Sequence, residues 1–182
     1  MLRWKKNSLH ATELLLEIDG DAHERKGTEI KEVIEKSVEK LQITEKAKIF
    51  AVNTVKTLIR AESKIHSEPE ESVHFHEAAG FDTVVDILGT AIALDDLGCF
   101  DDQIVVTPVA LGGGTVTFSH GISSNPTYAV LEIFRGSGII TAGGNVKDEL
   151  TTPTGASILV NLAKECSEFS PPMKIQSVGY GA

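Results

Sequence analysis

Apolar positions in the first third of the chain fall at helical spacing. Ile30, Val33, Ile34 and Val38 share one face, and Leu41 and Ile43 follow near a break. Thr44 then reads as the N-cap of a second helix reaching about His66. Its apolar stripe is Ile49, Val52, Val55, Leu58, Ile59 and Ile65. "SEPEES" (67–72) ends that pattern, because proline and clustered acids favour an exposed loop. Ahead of both helices, "ELLLEI" (13–18) is a short apolar run before "DGD" and reads as a strand and a turn. Two successive helices predict a helical hairpin.

The pattern changes after residue 72. "SVHFH" alternates as a short strand does. "DTVVDILGTAIALDDLG" predicts a helix with Val84, Val85, Leu88, Ala91, Ile92 and Leu97 apolar and Gly98 as its stop. "QIVVTPVALGGG" reads as a buried strand entering a glycine loop, and "TVTFSHG" as another strand. "NPTYAVLEIFRG" predicts a short helix with Pro126 near its start and Gly136 after its end. "LTTPTGASILVNLAKE" predicts a helix capped by Thr152, with Pro153 at its first position, and "MKIQSVGYGA" a last strand. The fold class that results is α+β: a mixed sheet with packed helices plus an N-terminal helical hairpin lobe. Two units are expected, 1–70 holding a strand and the helical lobe, and 71–182 a mixed α/β domain.

Composition narrows the function classes. The 182 residues carry 17 basic and 26 acidic side chains, a net charge of -9. An acidic chain lacks the basic surface that nucleic acids or anionic membranes need. No apolar run approaches the ~20 residues that span a bilayer. Two cysteines, Cys99 and Cys166, form no CxxC pattern and are expected as free thiols. With no apolar segment after the basic start, the expected location is the cytoplasm.

The candidate chemistry lies in three places. In "VHFHEAAGFDTVVD", His74 and His76 share a face if they lie on a strand, and Asp82 and Asp86 share a face of the following helix. A turn through Ala78–Gly80 can bring the faces together into a nitrogen–oxygen cluster suited to a transition metal. The bland alternative makes the histidines structural at a strand edge and Asp82 the cap of its helix. In "ALGGGTV" (110–116), glycines let backbone N–H groups approach a phosphate or carboxylate, but a tight loop needs the same residues. No Walker lysine or GxGxxG spacing accompanies them. In "TTPTGAS" (151–157), a helix start flanked by Thr151, Thr152 and Thr154 forms either an anion site or a plain cap. His120 lies after the next strand, and His23 and Arg25 on a polar loop.

Taken in order, "VHFHEAAGFDTVVDILGTAIALDDLG", "LGGGTV", "HG", "TPTGA" and "GYGA" resemble the LarC family, the nickel-insertion proteins of nickel-pincer cofactor biosynthesis. The resemblance covers about residues 10–182, with the stretch 73–98 and "TPTGA" its specific parts. It implies a lyase that inserts nickel into pyridinium-3,5-bisthiocarboxylic acid mononucleotide, forming nickel–sulfur and nickel–carbon bonds and consuming CTP with a divalent metal. On that likeness His74, His76 and Glu77 deliver the metal, with Asp82 and Asp86 as ligands or supports behind them. Gly112, Gly113 and Gly114, with Thr152 and Thr154, hold phosphate or carboxylate groups. The pattern departs in places. A glycine-rich "FDxxxGxSGDM" opening and a C-terminal CTP-binding domain are missing, Ala78-Ala79-Gly80 replaces Val-Gly, and His23-Glu24 replaces two histidines. The expectation is therefore a part of a longer machine. The alternative is a non-catalytic binding or assembly module with structural histidines. Either reading allows a homo-oligomer.

Overall fold

A computed structural model describes residues 2–6, 9–14, 25–75, 81–118, 121–144 and 146–180. In chain order the elements are β1 (Leu2–Lys6), β2 (Leu9–Glu13), β3 (Arg25–Lys26), α1 (Gly27–Val38), α2 (Glu45–His66), β4 (His74–Phe75) and α3 (Phe81–Asp96). They continue with β5 (Val105–Val106), β6 (Val109–Ala110), β7 (Thr115–Phe118), β8 (Gly121–Ser124), α4 (Tyr128–Phe134), β9 (Thr141–Ala142), α5 (Pro153–Leu162) and β10 (Glu165–Cys166). The class is α+β, as expected.

The long helix α2 organises the rest. It packs against α1, α3, α4 and α5. Ala51, Val55 and Leu58 on it are fully buried, and one apolar cluster runs from Ile30 and Ile34 of α1 to Ala156 of α5. Thr54 is also fully buried and donates its hydroxyl to the Phe50 carbonyl at 2.8 Å, which removes the cost of an unpaired polar group. The buried face matches the expected stripe in part. Val55, Leu58 and Ile59 are buried as expected, but Ile49 and Ile65 point outward, at 59% and 36% exposed, while Phe50, Ala51 and Thr54 point inward. Four neighbouring helices demand a wide buried face, and the small residues Ala47, Ala51 and Ala61 supply close approach that a count of aliphatics overlooks. The helical hairpin does form, but α2 is also covered by three later helices, so it is no detached lobe.

Local chemistry sets the helix ends. Thr44 accepts the Ala47 N–H at 3.4 Å, as a cap should, and is itself held by Asp95 near the end of α3. Asp95 accepts the Thr44 N–H at 2.9 Å and also its hydroxyl. Gly98 ends α3 at φ 71°, with its N–H on Asp95 and the Cys99 N–H on Leu94, each at 2.9 Å. That pair of bonds satisfies the carbonyls the helix leaves open. Thr152 caps α5 by accepting the Gly155 N–H at 3.1 Å, with Pro153 in the first turn. All three ends match the sequence reading.

The strands match it less well. Among the described residues there is no single mixed sheet, only five two-stranded pairs: β1–β2, β3–β4 and β7–β8 antiparallel, β5–β10 and β6–β9 parallel. The strand expected over 103–110 is two half-buried pieces either side of Thr107 and Pro108. Proline cannot donate to a ladder, so the pairing breaks there. The last strand is absent over residues 173–180, where Met173 and Ile175 are 65% and 78% exposed. The carbonyl of Tyr180 accepts the Thr12 N–H of β2 at 2.9 Å, but one such bond makes no ladder. Of "ELLLEI", residues 15–18 lie outside the described residues, while β1 and β2 pair just before it. Cys99 and Cys166 are free thiols. No helix among the described residues is long and apolar enough to cross a membrane.

The phase of α2 is testable by chemical denaturation. Leu58→Ala is expected to cost about 2–5 kcal/mol, the range for emptying a buried leucine site. Ile49→Ala is expected to stay within about 0.5 kcal/mol, as surface changes do.

Candidate functional site

The starts of α3 and α5 face each other across a cleft of about 150 Å³. Asp82, Thr83 and Asp86 line it from α3, and Thr152, Pro153 and Thr154 from α5. Glu62 of α2 and Glu149, just ahead of α5, complete the wall. Two constellations that the sequence carries some 70 residues apart thus share one space: the aspartate pair and the threonine-flanked helix start.

Each side chain owes its place to a helix end. Asp82 and Asp86 are one turn apart on α3 and so project to the same side. Asp82 is not the helix cap that the bland alternative makes of it. It lies inside the first turn, since α3 begins at Phe81, and its carboxylate accepts the Thr83 N–H at 2.9 Å. Partial burial raises the carboxyl pKa of Asp86 above its ordinary value, and the neighbouring Asp82 charge raises it further. Burial likewise pushes Glu149 up. Both shifts mean that negative charge in this cleft is poorly compensated by the protein itself. On the α5 side, Thr151 is turned away and donates its hydroxyl to the Ala110 carbonyl at 2.8 Å. Thr152 is engaged as the cap. Thr154 is only 8% exposed yet lines the cleft, and its hydroxyl makes no hydrogen bond among the described residues.

The glycine triplet stands behind this wall. Gly112 bridges to Glu149 in an antiparallel pairing. Its φ is 80°, and a Cβ there would meet the Asp148 carbonyl oxygen at 2.0 Å, so only glycine fits. Asn125 ties the two strands of backbone together, donating to the Gly113 and Asp148 carbonyls at 3.2 and 2.8 Å. Gly112, Gly113 and Gly114 are not among the residues lining the cleft.

The metal residues expected from the sequence divide. His74 is placed on β4, opposite Lys26 of β3, and does not line the cleft. His76 and Glu77 lie outside the described residues, as do His23 and His120. Among the described residues no three His, Cys, Asp or Glu side chains stand close enough to hold a metal ion by themselves. Sequence reasoning missed Glu62 and Glu149. Glu149 had a signal, lying directly before the threonine cluster. Glu62 had none, since its place depends on how α2 packs, and its nearest sequence companion is His66 at 3.4 Å.

A family model described as nickel insertion protein matches residues 1–182. The chain belongs to the nickel insertion protein family. It is similar to the pyridinium-3,5-bisthiocarboxylic acid mononucleotide nickel insertion protein of Staphylococcus saprophyticus, 35% identical over 177 residues, 97% of this chain and 43% of that one. The protein of the same name from Geobacillus kaustophilus is 39% identical over 145 residues, 80% of this chain and 34% of that one. That from Acetivibrio thermocellus is 39% identical over 149 residues, 82% and 36% of the two chains. The chain thus spans less than half the length of these members of the nickel insertion family. No solved structure matches it.

The raised Asp86 pKa has a consequence for stability. A carboxyl that ionises less readily when folded loses stability as the pH climbs from its ordinary value of 3.8 through the raised folded one. The full penalty is present at neutral pH. Asp86→Asn is therefore expected to raise Tm at pH 7 and to leave it unchanged below pH 3.8, as read by thermal unfolding across that range.

Proposed function

We propose that this chain is the nickel- and substrate-holding part of a protein that inserts nickel into pyridinium-3,5-bisthiocarboxylic acid mononucleotide. Nickel handling goes with the family, and the substrate is the one in the names of its relatives. The observation that carries the reading is the shared cleft: carboxylates suited to a cation stand opposite a helix start suited to a phosphate. Nickel is here a cargo, taken up and passed to the substrate. His74, His76 and Glu77 act as the delivery ligands, with Asp82 and Asp86 next along the path. Thr152 and Thr154 receive the substrate phosphate, and Gly112, Gly113 and Gly114 support that wall from behind. CTP and its divalent metal belong to the complete reaction and engage segments beyond this cleft.

The chemistry asks little more of these groups. Exchanging a ring C–H for a carbon–nickel(II) bond releases one proton, and the two thiocarboxylate sulfurs complete the grip on the metal. A carboxylate that already ionises reluctantly, as Asp86 does, is suited to accept that proton.

Calorimetric titration of the purified chain with nickel tests the reading. Binding is expected near neutral pH and should weaken on acidification, because a ligating imidazole must be neutral. The His74→Ala/His76→Ala double variant should lose at least about tenfold in affinity, the cost that even an outer partner of a metal ligand carries. Unchanged affinity would overturn the assignment. A second reading, an assembly module with structural histidines, draws on the exposed Phe169, Met173, Ile175, Val178 and Tyr180. It predicts metal-free protein by elemental analysis and a dimer or larger species by light scattering.

A further inference from the structure

We propose that residues 173–180 are a docking strand, taken up by an open sheet edge on the polypeptide that longer nickel insertion proteins carry outside the region they share with this chain. This goes beyond the nickel reading and does not rest on it.

The side chains of the segment are those of an interface without its partner. Every residue from 168 to 180 is exposed. Phe169, Met173, Ile175, Val178 and Tyr180 are among them, each at least 65% exposed. Exposed apolar residues are ordinary when scattered singly, but here they are crowded into one short stretch. The same stretch holds one acid, Glu168, and one base, Lys174, so it carries none of the net charge of -9. Few charges together with aromatic residues and methionine mark the core of a protein–protein interface. A solvated linker has the opposite makeup, polar and charged.

The backbone is equally uncommitted. Residues 173–180 form neither helix nor strand. Among the described residues, their one backbone hydrogen bond runs from the Thr12 N–H of β2 to the Tyr180 carbonyl, at 2.9 Å. The other N–H and C=O groups can pair with a sheet edge, a mode in which main-chain bonds give affinity and alternate side chains give specificity. Met173 and Ile175 would then share one face, and Val178 and Tyr180 the other. Apolar side chains on both faces suit a strand covered on both sides. Leu14, 61% exposed and two residues beyond Thr12, extends the apolar surface at the Tyr180 end.

The longer relatives point to what covers it. The match with the Staphylococcus saprophyticus protein takes in 177 of the 182 residues, so Met173 and Ile175 fall inside it wherever its ends lie. That match is 43% of the relative, and more than half of that protein is further polypeptide. The segment therefore has a large neighbour there to pack on. A second copy of this chain is the poorer occupant, because each copy brings a charge of -9 and a segment that equally lacks a strand partner. Size agrees. Aromatic side chains such as Phe169 and Tyr180 bury about 150–250 Å² each. With the aliphatic residues, the segment offers an area on the order of the ~800 Å² per partner of a standard stable interface.

Hydrogen exchange read by mass spectrometry, on this chain and on the intact Staphylococcus saprophyticus protein, tests the proposal. In this chain the amides of residues 173–180 are expected to exchange as fast as those of an unstructured segment. The matching amides of the relative should exchange at least about a hundredfold more slowly, as packed strands do, and dilution should not change that. Ile175→Asp should leave the Tm of this chain unchanged, because the position is exposed. The matching substitution in the relative should speed exchange of its segment at least about tenfold. Fast exchange in both unsubstituted proteins overturns the proposal, whatever the substitution does to folding. So does slow exchange in this chain alone, which would place the segment on its own β2. Protection in the relative that fades on dilution also overturns it and assigns the surface to a second copy. None of these readings touches the imidazoles that the nickel titration reports on, so either result can fail without the other.

Discussion

The burial of α2 on every side is the constraint from which the remainder follows. A helix of 22 residues that contacts four others cannot shift without disturbing all of them. Its inward face is tightly filled, with Ala47, Ala51, Val55 and Leu58 fully buried, so the neighbours are held at fixed distances by packing. The starts of α3 and α5 meet because each helix is docked on α2. Asn161 of α5 reinforces one of these contacts by donating to Thr57 of α2 at 2.9 Å, and Asp95 of α3 reinforces another at Thr44. The cleft is therefore a by-product of core packing, placed on rigid elements where its geometry is well defined.

A region built this way carries an electrostatic cost. Asp86 and Glu149 sit where burial disfavours their charged forms, and Asp82 adds repulsion. A core-packing solution would replace such groups with neutral ones of equal size. Keeping acids there makes physical sense if something positive occupies the space during the working cycle. Stability and function pull on the same residues in opposite directions.

The helices were legible because their signals are local. Thr44 and Thr152–Pro153 mark starts, Gly98 marks a stop, and each acts within a few residues of its place in the sequence. The resemblance to nickel-insertion proteins rested on such short stretches too, and the family match covers the full chain. What was not legible depends on distant partners. The strands are two to five residues long, and three of the five pairs join segments tens of residues apart, as Val105 with Glu165. The apolar stripe of α2 found Val55, Leu58 and Ile59, but the full width of the buried face could not be read without knowing that four helices cover it. Asp82 and Thr154 were both singled out, yet nothing between them announces that they share a cleft, and Glu62 joins them only through the fold. His76 and Glu77 lie outside the described residues, so the imidazole half of the expected cluster stands as a proposal.

The glycine run behind Glu149 has a consequence for how substitutions there would be read. Gly112 lies so close to the Asp148 carbonyl that the loop bearing Glu149 has one way to lie against it. A methyl group at that position would push on backbone, and the acid at the rim of the cleft would move with it. Damage would then surface as altered ligand handling while every lining side chain kept its identity. A triplet that looks like a contact motif would behave in such an experiment as the mould in which a neighbouring wall is cast.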